Sequence, residues 1–105
     1  MITYPYSAFG CDYQLALVRT SYSSNDKLAV QAYTDTLEPF ATITVNIFDS
    51  DYCEDDCAFI DVNNCPGITD FLVRNKIAKP TGRIGLSGFC SYPEYKFDLT
   101  KLEEE

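Results

Sequence analysis

Histidine and tryptophan are absent from this sequence, and methionine occurs once. Without histidine no Cys-His or Ser-His pair can be assembled for nucleophilic catalysis, and no carboxylate pair is set apart by position as an acid and a base. No catalytic residue is marked out, so a non-enzymatic role is expected. Cations are scarce: eight Lys and Arg stand against sixteen Asp and Glu, a formal charge of −8. Such a balance repels nucleic acid and anionic membrane, and direct nucleic-acid binding is not expected. It steers the chain instead toward basic surfaces, including those whose usual partner is nucleic acid. No apolar run approaches the ~20 residues that a membrane-spanning helix needs. The first residues, Met1 to Tyr6, lack the basic and apolar parts of a secretory signal. These absences predict a soluble, cytoplasmic protein.

What is present begins with one stretch. In Phe40 to Phe48, Ala41, Ile43, Val45 and Ile47 alternate with Thr42, Thr44 and Asn46, the period of a strand with one buried face. It exits into Asp49-Ser50-Asp51-Tyr52-Cys53-Glu54-Asp55-Asp56-Cys57, where five carboxylates fall within eight positions and no Lys or Arg neutralises them. The 105 residues, 46% of them hydrophobic, suit a single domain. Residues 1–11 read as a lead-in segment without usable periodicity, Asp12 to Arg19 and Leu28 to Tyr33 as strands joined by a polar turn, and Ala58 to Val62 as a further short strand. Ile68, Phe71 and Leu72 recur at helical spacing, with Asn64 or Cys65 as the cap, Pro66 in the first turn, and an end at Asn75 or Lys76. Residues 81–88 read as a glycine-rich loop, Phe89 to Leu99 as one or two closing strands interrupted at Pro93, and 100–105 as a mobile acidic tail. The expected fold class is α+β, an antiparallel sheet of four to six strands with one helix packed on one face.

Five cysteines are many for this length, but the number is odd and no export signal accompanies them, which favours separate reduced thiols. Zinc would want two close ligand pairs, and only Cys53-x-x-x-Cys57 supplies one; the acidic loop lacks the sixth-position glycine and the helices of an EF-hand. No metal or cofactor is therefore expected. Thr81-Gly82-x-x-Gly85-x-x-Gly88 is neither phosphate-binding pattern and precedes no helix, so its glycines read as turn residues. Eight tyrosines, Tyr22 and Tyr52 beside polar loops among them, serve equally well as core or as interface rings. The candidate partner-binding residues are Asp49, Asp51, Glu54, Asp55 and Asp56 for charge, with Tyr52 as an anchoring ring.

The segments Leu28 to Gln31, Glu38 to Asn46, Phe59 to Asp61, Pro80 to Arg83 and Ser87 to Phe89 together resemble a small domain-of-unknown-function family carried on conjugative elements, plasmids and phages of Gram-positive bacteria. The resemblance spans residues 28–98, and it departs from the family where Leu37 replaces a glycine before Glu-Pro and where the acidic loop is more elaborate. The family carries no general enzymatic assignment. What the resemblance implies is a mobile-element protein, with type II-A anti-CRISPR inhibitors of Cas9 or of its guide RNA assembly as the favoured class. Cas9 carries basic channels for guide and target that an acidic surface can occupy. Two other readings stand beside it: an accessory factor of plasmid or conjugative-element maintenance binding a protein partner, and a metal-dependent nuclease using the acidic loop.

Overall fold

The computed structural model describes residues 2–24, 26–47 and 54–104. Strands dominate them. β1 (Tyr4–Ala8), β2 (Cys11–Ser21), β3 (Leu28–Thr34) and β4 (Pro39–Thr42) form an antiparallel sheet in that order. β5 (Thr44–Val45), β6 (Cys57–Ile60), β7 (Ala78–Ser87) and β8 (Cys90–Phe97) form a second sheet in the order β5-β6-β8-β7, with α1 (Ile68–Arg74) between β6 and β7 in the chain. One continuous apolar cluster joins the two sheets to α1, drawing Leu15, Leu17 and Val30 from the first, Ala58, Ile60 and Phe97 from the second, and Ile68, Phe71 and Leu72 from the helix. The α+β class and antiparallel pairing hold, but the expected single sheet is two.

The division falls inside the stretch that reads as one strand. Ile43 donates its N–H to the Val30 carbonyl at 3.0 Å in the first sheet, and its own carbonyl accepts from the Asp61 N–H at 2.9 Å beside the second. A residue bonded to two sheets ends the alternation. Thr44 is buried along with Ile43, its hydroxyl accepting from the Val30 N–H at 3.2 Å and sharing a 2.9 Å bond with the Tyr22 hydroxyl. Ala41 and Val45, expected inward, are only half-buried.

Further expectations are corrected. The lead-in segment contains β1, whose Tyr4 and Tyr6 are core residues, and Pro5 is tolerated because β1 lies at the sheet edge where no partner needs its missing N–H. The loop over 81–88 is part of β7: a register shift between Pro80 and Ile84 absorbs Gly82, and only Gly88 sits in a turn, at φ 62° between the paired residues Ser87 and Cys90. β8 runs through Pro93, opposite Ile84, without interruption. In the carboxyl-terminal stretch, Leu99–Lys101 is a 3-10 turn and Glu103–Glu104 forms β9, parallel to Val18 and Arg19 of β2; a free tail is not what these residues make. The helix cap falls two to three residues later than predicted, at Gly67, and the helix ends at Asn75 as expected.

Candidate partner-binding site

Of the six residues singled out for partner binding, Asp49, Asp51 and Tyr52 lie outside the described residues. Glu54, Asp55 and Asp56 lie at the turn that enters β6, where the Cys57 N–H closes on the Glu54 carbonyl at 3.0 Å. The fold separates these three. Glu54 and Asp55 are exposed, but the Lys96 ammonium on β8 lies 3.7 Å from Glu54 and 3.6 Å from half-buried Asp56, a neutralisation that the local sequence, free of cations, does not foretell. Cys57 and Lys96 are register partners, which is why a cation forty residues away arrives at the acidic turn. Asp55 instead faces the end of the first sheet, where it lines a surface cleft of about 450 Å³ with Arg19, Thr20, Ser21, Asp26 and Leu28. Asp26 is held there by the β2–β3 turn, in which its N–H donates to the Tyr22 carbonyl at 2.8 Å. Two loops distant in sequence thus bring Asp26 and Asp55 to one cleft.

Tyr22 does not serve as a free ring. Half-buried, it is tied by its hydroxyl to Thr44, and burial pushes its phenol above the ordinary range against the opposing effect of that hydrogen bond. Among the described cysteines, Cys57 and Cys65 are buried and Cys11 and Cys90 exposed. Burial, with Asp61 nearby, pushes the Cys65 thiol up.

Sequence reading missed Glu94. It is 2% exposed on the face of the second sheet turned away from the main core, beside its register partner Phe59. The register shift in β7 brings the Thr81 hydroxyl to donate to Glu94 Oε1 at 2.7 Å and the Arg83 Nε to 3.9 Å from the same oxygen. Oε2 has no hydrogen-bond partner among the described residues. A cavity of about 170 Å³ opens here, lined by Glu54, Cys57, Thr81, Arg83, Glu94 and Lys96. The Ser-Tyr-Pro-Glu-Tyr context gives no sign of this, since the neighbours of Glu94 come from two other strands, β6 and β7.

No helix of the described residues is long and apolar enough to cross a membrane. The fold defines the class as a small, strand-dominated α+β domain. The chain belongs to the domain-of-unknown-function family DUF4313, whose model matches residues 15–105. No curated protein and no solved structure matches it.

Proposed function

We propose that this protein is a non-enzymatic binding module that docks its acidic end on a basic, nucleic-acid-handling protein, and that it acts as a mobile-element inhibitor of Cas9 or of Cas9–guide RNA assembly. The observation that supports the reading is that exposed Asp26 and Asp55 line one cleft, with exposed Glu54 next in chain to Asp55, in a protein of net charge −8. Carboxylates presented together compete with phosphate oxygens for Arg and Lys and attract a basic surface over several ångströms. Because that attraction is screened, with a Debye length of ~10 Å at 0.1 M salt and ~3 Å at 1 M, the complex should come apart as salt rises.

Two measurements test this reading. In a pull-down from bacterial lysate washed at graded salt, a basic nucleic-acid-binding protein should be retained at low salt and released at high salt. Charge reversal at Asp26, Glu54 and Asp55 to Lys should abolish retention while circular dichroism stays unchanged; undiminished binding removes this end from the mechanism. In a Cas9 cleavage assay, the protein should suppress cutting when added before guide RNA or target. Full cleavage across several Cas9 types would overturn the anti-CRISPR assignment and leave the general binding reading to the pull-down.

A further inference from the structure

The free edge of the second sheet carries an inference independent of the acidic residues. β7 closes that sheet on one side, with no described strand beyond it. Its two halves treat this edge differently. From Lys79 to Arg83 the edge has a proline, two cations and the register shift between Pro80 and Ile84, the devices that keep strand edges from pairing. From Ile84 to Ser87 it has none of them. The two-residue turn at Gly88 and Phe89 makes Ser87 and Cys90 a hydrogen-bonded pair, and alternation along the ladder makes Gly85 and Tyr92 the next. Ile84 opposite Pro93 falls in the intervening phase, where the missing N–H of Pro93 breaks no bond to β7. The backbone N–H and C=O groups of Ile84 and Leu86 therefore point outward along the free edge. Their side chains, 66% and 72% exposed, share the sheet face of Tyr95 and Phe97 but lie beyond the part of it that the core covers, and Phe89 at the tip is fully exposed.

We propose that this edge pairs with the same edge of a second copy of the chain, β7 against β7 antiparallel about a two-fold axis at Gly85, joining the two second sheets into one. The strand is complementary to itself in that register. Ile84 falls opposite Leu86 of the other copy and Leu86 opposite its Ile84, so outward backbone groups face each other and each pair forms an apolar cross-strand contact. Gly85 meets Gly85, and Arg83 falls opposite Ser87, so no like charges are opposed. Pairing stops there because the other copy turns away at its Gly88, opposite the irregular stretch around Gly82. Charge also selects a second copy. Residues 84–93 contain no Asp, Glu, Lys or Arg in a chain of net charge −8, so self-repulsion is least where these strands meet, and a charged partner strand would find no counter-charge along Ile84 to Ser87. With only Arg83 to Ser87 paired in each copy, the interface falls below the ~1,200 Å² of standard complexes, so the dimer is reversible and concentration-dependent.

The test is the mass of the full chain in analytical ultracentrifugation from micromolar to millimolar concentration, kept reduced so that exposed Cys11 and Cys90 form no cross-link. Reversible monomer–dimer exchange should appear, with more dimer at high salt, because screening weakens the mutual repulsion of two chains of charge −8. That salt response is the opposite of the one expected for docking on a basic protein. Hydrogen exchange of the Ile84 and Leu86 amides should slow as concentration rises, while that of Gly85 and Ser87, already paired with β8, should not change. Leu86→Lys, at an exposed side chain, should weaken dimerisation by about tenfold or more, and Leu86→Pro, which removes one outward N–H, should do the same with circular dichroism unchanged. The exchange readout uses the unaltered chain and stands whether or not either variant folds. A monomer at every concentration and salt, a dimer that Leu86→Lys leaves intact, or exchange at Ile84 and Leu86 that ignores concentration overturns the proposal.

Discussion

At the scale of single residues, the face of the second sheet turned from the core is where size and polarity are most constrained. A Cβ added to Gly85 would lie 2.6 Å from Ile47 Cδ1 and 2.7 Å from Phe59 Cε1, closer than carbon atoms approach. Both neighbours are buried, so neither can swing away freely. Gly85→Ala should therefore destabilise the fold by about 1–3 kcal/mol, the range of overpacking, and a denaturant midpoint unchanged from the parent would show that Ile47 and Phe59 give way. The thiols provide a second check at this scale. Cys65 is buried and its thiol is pushed up by burial, so in the native protein Cys11 and Cys90 should alkylate first and Cys65 only on unfolding. Peptide mapping after brief labelling decides it, and prompt modification of Cys65 would contradict its placement against α1. None of these constraints is legible locally. Gly85 looks like its neighbours Gly82 and Gly88, yet those two have positive φ and open space around them, while Gly85 is needed for close approach.

At the scale of elements, turns and caps decide what the hydrophobic pattern leaves open. The β1–β2 hairpin turns on Phe9 and Gly10, with φ of 55° and 75°, the pair of positive values that a two-residue type I′ turn demands. Phenylalanine is poorly suited to that conformation, which is why the sequence hides this hairpin while an Asn-Gly pair would have announced it. The 3-10 turn at Leu99–Lys101 is capped by Asp98, whose Oδ1 accepts from the Thr100 hydroxyl at 2.6 Å and the Thr100 N–H at 3.1 Å. The Thr100 hydroxyl first, and its backbone N–H second, hold the Asp98 carboxyl below the usual carboxylate range. A depressed folded pKa means a contribution present above the unfolded value and lost as pH falls through the folded one. Asp98→Ala should accordingly loosen the Leu99–Glu104 segment at neutral pH and erase part of the acid dependence of its amide exchange. An unchanged exchange profile would remove the cap from the account of how β9 is held against β2. The helix was readable because Ile68, Phe71 and Leu72 form a stripe that local spacing alone creates. β9 was not, since two glutamates acquire strand geometry only by pairing with Val18 and Arg19.

At the scale of the whole molecule, Ile43 links the sheets, and their shared cluster implies that they unfold together. Ile43→Ala, at a side chain 1% exposed, should cost about 2–5 kcal/mol as a buried truncation. It should also speed exchange of amides in β3 and β6 in parallel. Loss of protection in one sheet alone would show that the cluster does not couple them. The sequence by itself determined the mostly antiparallel strand pattern, the α+β class, the position of α1 and the charge of −8, because these follow from local periodicity and composition. Only the tertiary structure decided that Phe40 to Ile47 crosses between two sheets, that Lys96 meets Glu54 and Asp56, and that Glu94 is buried beside Thr81 and Arg83. The physical reason is common to all three. Period-two alternation names a buried face without naming the sheet that buries it, and an electrostatic partner is set by strand register, which long-range backbone pairing fixes.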